Sequence, residues 1–255
     1  MSERLNGRRA IVTGGGSGIG RAAALKLAEG GASVAVLDVN VEAAQQVVAS
    51  IIAAGGKAIA LFANVADEAQ VANAVSKAEE RFGGLDTVIA NAGILLLERD
   101  VIATDLDLET WRQCIDVNLT GMFLTCKHGL RALKRNGNGS VVITASPTGT
   151  HGCAPTLTAY STSKAGTLGL MRILAIDYVK QNIRVNAVLP GTTSSPLVTT
   201  LMGNPATRAE FLEKIPMARA ADPGEIANVI AFLASDEASY VTGAAWYADG
   251  GLTAI

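Results

Sequence analysis

Clustered positive charge is missing from this sequence. Its 21 Lys and Arg against 23 Asp and Glu leave a net charge of −2, and no run of basic residues appears. No nucleic acid and no anionic membrane is expected as a partner, because both are bound through dense positive patches. Also missing is any apolar stretch long enough to span a bilayer. The opening Met1-Ser2-Glu3-Arg4-Leu5-Asn6-Gly7 carries no apolar signal core, so a cytoplasmic location is expected. Cysteine is scarce. Cys114, Cys126 and Cys153 have no metal-ligand spacing and, being three, cannot all pair. Reduced, buried thiols and no metal site are the expectation.

Glycine and aliphatic residues are what the chain does have: 27 Gly and 49% hydrophobic residues over 255 positions. Such a chain can bury the core of one large α/β domain, residues 1–255, with many tight strand-to-helix turns. Arg8 to Val12 reads as a buried strand, followed by Thr13-Gly14-Gly15-Gly16-Ser17-Gly18-Ile19-Gly20 and a helix to Ala28. Glycines spaced in this way let backbone N–H groups and a helix N-terminus approach a pyrophosphate. The next strand, Ser33 to Leu37, ends in Asp38. A carboxylate there suits ribose hydroxyls and repels a 2′-phosphate by at least about 1–2 kcal/mol, and neither Ser17 nor Val39 offers a cation. NAD is therefore expected over NADP. Strands at Lys57 to Ala63 (leading to Asn64-Val65) and Leu85 to Ala90 (leading to Asn91-Ala92-Gly93) alternate with helices. Asp67 and Gln70 form a capping-box pattern for the helix between them. This alternation predicts a Rossmann-type, doubly wound parallel sheet of about seven strands flanked by helices, with ligands at the strand C-termini.

Further along, Tyr160-Ser161-Thr162-Ser163-Lys164 puts a phenol and an amine one helical turn apart. A unit charge ~4 Å away contributes about 4 kcal/mol at an effective dielectric near 20, enough to lower a phenol pKa of about 10 by roughly three units. Such a tyrosine could exchange protons with an alcohol or ketone near neutral pH. A long helix from Asp107 to Arg135 is interrupted at Asn118-Leu119-Thr120-Gly121, with Trp111 and Phe123 read as core. Strand Ser140 to Ala145 leads into Ser146, and strand Ile183 to Leu189 into Pro190-Gly191-Thr192-Thr193.

Jointly, Thr13-Gly14-x-x-x-Gly18-x-Gly20, Asn91-Ala92-Gly93, Asn118, Ser146, Tyr160-x-x-x-Lys164 and Pro190-Gly191 resemble the classical short-chain dehydrogenases/reductases. They stand in that family's order and close to its spacing, over almost the whole chain. The resemblance implies an NAD-dependent oxidoreductase that moves a hydride between nicotinamide and a secondary alcohol or ketone: a sugar, polyol or cyclic alcohol. It implies that Ser146 hydrogen-bonds the substrate oxygen, Tyr160 is the acid or base, Lys164 tunes it and holds the nicotinamide ribose, and Asn118 ends a proton relay. It implies cofactor contacts at Gly14, Ser17, Gly18, Ile19 and Gly20, at Asn64 and Val65, at Asn91, Ala92 and Gly93, and at Pro190, Gly191, Thr193 and Ser195. A homotetramer is also implied.

The family pattern is not followed throughout. Ser146 and Tyr160 stand one residue farther apart than usual, Pro147 follows the serine, and Asn64 replaces a frequent aspartate. The extra residue falls in Thr150 to Leu157, which should line the substrate pocket; its hydroxyls and His151 lean the expectation toward a polar substrate. Residues 194–216, broken by Gly203, Asn204 and Pro205, read as a lid. A non-catalytic dinucleotide-binding sensor or scaffold is the alternative. It would have no use for the set Asn118, Ser146, Tyr160 and Lys164.

Overall fold

A computed structural model describes residues 4–198, 208, 209 and 212–254 of the chain. Seven parallel strands form one sheet: β1 (Arg9–Thr13), β2 (Ser33–Asp38), β3 (Lys57–Phe62), β4 (Thr87–Ala90), β5 (Gly139–Thr144), β6 (Ile183–Pro190) and β7 (Ala245–Ala248), in the order β3-β2-β1-β4-β5-β6-β7. Helices α1 (Gly18–Glu29) and α2 (Val41–Ala53) cover one face together with the last long helix, here α7 (Pro223–Ala234). On the other face lie α3 (Glu68–Phe82), α5 (Gly121–Asn136) and α6 (Thr158–Tyr178), with α4 (Leu108–Ile115) beside α6. Strands sandwiched in this way must be apolar on both sides. Val12, Val34 and Val36 pack toward the first layer, and Ile11, Ala35 and Leu37 toward the second. No helix among the described residues is long and apolar enough to cross a membrane.

Strand boundaries fall within about two residues of the sequence reading, the ordinary uncertainty of element ends. Two local expectations are corrected. Gln70 does reach back from the first turn of α3, but its Oε1 accepts from the backbone N of Asn64 at 2.9 Å, while Asp67 caps Gln70. Phe123 is not core: it is 45% exposed on the outer side of α5, with the Lys127 ammonium 5.9 Å from its ring centre.

The end of the sheet away from the strand C-termini is held by an ion pair. Arg9 donates from Nε to Asp86 Oδ2 at 2.7 Å and from Nη2 to Oδ1 at 2.9 Å, and Asn136 Nδ2 donates to the same Oδ1 at 2.7 Å. Burial pushes the Asp86 carboxyl up, but the hydrogen bonds and charge of Arg9 outweigh it and hold the group below its ordinary value. A carboxyl depressed in the folded state contributes stability above its unfolded pKa of about 4, and that stability is lost as pH falls through the folded value. Asp86→Asn should therefore cost about 2 kcal/mol at pH 7, by stranding Arg9. Thermal melts from pH 7 to 3 should show the gap to wild type closing below about pH 4. A gap independent of pH would exclude the ion pair as its source.

Candidate active site

The order of strands reverses between β1 and β4, which opens a crevice at their C-terminal ends. Its floor is cross-linked. Thr13 Oγ1 accepts from the backbone N of Asn91 at 3.0 Å, and Asn91 Nδ2 donates to the carbonyl of Thr13 at 3.1 Å. Close approach of the two turns demands glycine. A Cβ on Gly14 (φ +62°) would lie 2.9 Å from Ala92 Cα, and one on Gly20 only 2.0 Å from the Gly14 carbonyl oxygen. Ser17 precedes α1 without capping it by its side chain, and Gly18 and Ile19 of the first turn line the crevice. At the tip of β2, Asp38 accepts from the backbone N of Gly16 at 2.8 Å and of Asn40 at 2.9 Å. These bonds fix the carboxylate at the crevice rim.

From Asp38 the crevice runs as one cleft of about 880 Å³ to Ser146, Tyr160 and Lys164. It is also lined by Gly14, Ser17, Gly18, Ile19, Asn64, Val65, Asn91, Ala92, Gly93, Pro190, Gly191, Thr193 and Ser195. Only two of the site residues expected from sequence are not on its wall. Gly20 is buried one turn into α1, and Asn118 is fully buried behind the wall.

The reacting groups come from two elements. Ser146 follows β5, and its Oγ accepts from the Thr148 hydroxyl at 3.1 Å. Tyr160 and Lys164 lie on α6. Lys164 is 3% exposed, donates from Nζ to the carbonyl of Thr144 at 2.9 Å, and holds its nitrogen 5.6 Å from the centre of the Tyr160 ring. Burial pushes the Lys164 amine down to about 8. Tyr160 keeps partial exposure toward the cleft, yet dense surrounding protein pushes its phenol up to about 12, opposed by the hydrogen bond with Ser146. In the protein alone burial, not Lys164, sets the direction of the Tyr160 shift. Desolvation of the phenolate outweighs an ammonium that is itself desolvated and turned to a carbonyl.

Thr144 was not legible as a site residue. Its carbonyl holds Lys164 while its hydroxyl donates to Asn91 Oδ1 at 3.1 Å, so it joins the crevice floor to the lysine. In sequence it is an ordinary strand-end threonine. Asn118 sits in a π-turn, Asp116–Thr120, that separates α4 from α5 where the sequence reading placed its interruption, at 118–121. Such bulges redirect side chains and gather at functional sites. Asn118 Oδ1 accepts from the backbone N of Ile94 at 2.7 Å and Nδ2 donates to its carbonyl at 2.9 Å, clamping the loop after Gly93. A Cβ on Gly93 would lie 3.2 Å from Asn118 Oδ1 and 3.5 Å from Lys164 Nζ, so glycine keeps these groups together.

The cleft walls are mainly apolar here: Ile94, Leu95, Leu97, Leu157, Leu197 and Ile215 line them, with Thr148, Thr156 and Lys214 as polar members. Thr150 and His151 are absent from the wall. The Thr150 hydroxyl meets His151 Nδ1 at 2.8 Å and the Tyr247 hydroxyl at 2.9 Å, on the outer surface. The lean toward a polar substrate is weakened: Thr150 and His151 lie outside, while Thr148 and Thr156 do face the cleft. Of the expected lid, residues 199–207, 210 and 211 lie outside the described residues; Leu197, Val198, Lys214 and Ile215 line the cleft.

Comparison with known proteins bears on this arrangement. The family described as Enoyl-(Acyl carrier protein) reductase matches residues 14–253. A cyclohexanol dehydrogenase of Acinetobacter sp. (strain SE19) is 41% identical over 99% of this chain and 98% of its own length. A cis-4-hydroxycyclohexanecarboxylate dehydrogenase of Sinomonas cyclohexanicum is 43% identical over 100% of both. A solved structure from Beutenbergia cavernae, a candidate NAD(P) dependent gluconate 5-dehydrogenase with NADP at low occupancy, is 34% identical, covers 98% of both chains and has a TM-score of 0.92. With motifs, sheet order and relatives in agreement over almost its full length, the chain belongs to the classical short-chain dehydrogenase/reductase family of oxidoreductases.

Proposed function

We propose that this protein is an NAD-dependent dehydrogenase of cyclic secondary alcohols. The observation that carries the reading is the single cleft joining a glycine-rich turn and Asp38 to Ser146, Tyr160 and Lys164, with mainly apolar walls. The residues present fit a nicotinamide dinucleotide. The helix α1 N-terminus and the close-packed glycines suit its pyrophosphate, Asp38 its adenosine ribose, and Asn64 and Val65 its adenine end. Residues 190–195 close the opposite end. When bound, the nicotinamide supplies the hydride acceptor or donor.

The chain's own groups do the rest. Ser146 directs its hydroxyl at the substrate oxygen and stabilises charge developing there. Tyr160 takes the proton of the alcohol during oxidation and returns it during reduction. Lys164 supplies positive charge beside the phenol. Asn118, through Ile94, holds the loop that walls the substrate. Apolar wall residues favour a ring over an open polyol, since a polyol would leave hydroxyls unpaired there. We assign the role of lid to the segment 194–216, whose Leu197, Val198, Lys214 and Ile215 line the cleft. Four copies in a cytoplasmic homotetramer would cover the exposed apolar side chains Ile173, Ile176 and Val179 at the end of α6.

Absorbance of NADH tests the reading directly. Purified protein and NAD⁺ should reduce cofactor with cyclohexanol-type alcohols and not with sugars or polyols. Turnover confined to the polyol panel would overturn the substrate class; silence with both, alongside demonstrated NAD binding, would favour the sensor alternative. Cofactor choice has its own test. Asp38→Ser should raise the NADP⁺/NAD⁺ ratio of kcat/KM by about 5- to 30-fold, as removal of ~1–2 kcal/mol of repulsion implies. Equal use of both cofactors by the unaltered protein would sink the NAD preference.

A further inference from the structure

The helix that carries Tyr160 and Lys164 is not capped by its own sequence. Leu157 stands at its N-cap position with no side-chain bond, and its first turn holds no acidic residue. Four backbone N–H groups at a helix start lack helical partners. Here two of them are satisfied from afar. Asp100, on the loop between β4 and α4 and only 1% exposed, accepts from the backbone N of Ala159 through Oδ1 and from that of Tyr160 through Oδ2, both at 2.8 Å. Alongside, the Thr158 hydroxyl donates to the carbonyl of Val101 at 2.7 Å. A buried carboxylate is costly unless its lone pairs are used and an opposite charge is near. Two charge-assisted hydrogen bonds and the positive end of α6 meet both needs.

The same loop forms part of the substrate wall. Asn118 clamps it at Ile94, Leu95 and Leu97 face the cleft, and the Leu96 carbonyl accepts from the backbone N of Arg99 at 2.9 Å and of Asp100 at 2.7 Å. Asp100 therefore ends a short, doubly anchored segment and grips the main chain of Tyr160 itself. We propose that Asp100 is a positioning residue that fixes the height of Tyr160 against Ser146 and ties the substrate wall to the start of α6. This rests on the proposed dehydrogenase function. Its mechanical part does not: it predicts where the backbone is held whether or not a substrate is known.

The test compares Asp100→Ala, Asp100→Asn and Asp86→Asn with the unaltered protein, using cyclohexanol and NAD⁺, NAD binding and amide hydrogen exchange. Loss of the grip should lower kcat about 10–100-fold in Asp100→Ala while the Kd for NAD stays within about twofold, because small misplacements of a reacting group cost rate more than affinity. Exchange of amides in 158–164 should rise at least about tenfold, with the later turns of α6 unchanged. Asp100→Asn keeps one acceptor but turns an NH₂ toward the second N–H, so it should fall between the two, and it serves if the Ala variant fails to fold. Asp86→Asn, at the other end of the sheet, should melt earlier yet keep kcat. The proposal is overturned if Asp100→Ala retains kcat within about twofold, or if Asp86→Asn loses rate equally at an equal drop in Tm. Should the unaltered protein oxidise no alcohol, the proposed function falls by itself; the exchange measurement then decides, and unchanged exchange in 158–164 defeats Asp100's role.

Discussion

Tyr160→Phe should lower kcat for alcohol oxidation by about 10³-fold or more, the upper part of the range for removal of a positioned acid–base group. Binding of NAD should stay within about threefold, because one hydroxyl is lost from a cleft whose cofactor end is built of backbone and Asp38. The split follows from geometry. Phe keeps the ring that packs at the start of α6 and leaves the Asp100 contacts to the backbone of residues 159 and 160 in place. In the protein alone the phenol stands at about 12, so at neutral pH it is a proton donor. That suits reduction of a ketone at once. Oxidation needs added positive charge near the ring, and its rate should rise with pH toward the value the phenol takes in the complex. Stopped-flow NADH traces with the Phe variant would check both points. Residual turnover within tenfold of wild type would remove Tyr160 from the proton transfer.

The fold and most of the site were legible because their signals are local. Glycines at 14, 18 and 20 announce a close approach of turn and helix, and the buried runs of β1 and β2 announce a sheet covered on both sides. Tyr160 and Lys164 needed only helical spacing. What was not legible depends on partners distant in sequence. Asp100 meets the α6 start 59 and 60 residues later, Thr144 holds a lysine 20 residues on, and Asn118 reaches back 24 residues to Ile94. No pattern of period two or 3.6 encodes such pairs. His151 is the exposed loop histidine its sequence context favours, and its candidate role in specificity finds no support. Its neighbours Cys153 to Leu157 do line the cleft, but the chain turns at Thr150, and the imidazole finds Tyr247 on the outside. A Coulomb sum between two side chains omits the desolvation that both suffer, so it could not give the net direction for Tyr160 in the protein alone.

Lys164→Met should give a protein that is nearly inactive and more stable. Activity should fall at least about 10³-fold, since the phenol loses the Lys164 ammonium beside it. Stability should move the other way. With its amine at about 8 instead of 10.5, the folded protein at pH 7 carries a buried charge that the unfolded chain would hydrate freely. That difference is worth at most about 3 kcal/mol. Met fills similar volume without the charge, but leaves the Thr144 carbonyl unpaired at a cost of about 1–2 kcal/mol. A net gain of about 1–2 kcal/mol at pH 7 remains, a rise in Tm of a few degrees for a chain of this size. The sign with pH is fixed by linkage. Between about 8 and 10.5 the unfolded wild type binds more protons at this lysine than the folded one, so wild-type stability rises through that window. Tyr160, raised from 10 to about 12, contributes stability that is intact below about 10 and is lost only above it. The Met variant's advantage should therefore shrink between pH 8 and 10, which thermal melts at pH 7, 8, 9 and 10 would follow. A variant less stable than wild type by the same margin at every pH would mean that Lys164 is held as an ordinary packed side chain. A shrinking advantage would show that the fold tolerates an unfavourable buried charge because the chemistry at Tyr160 requires it.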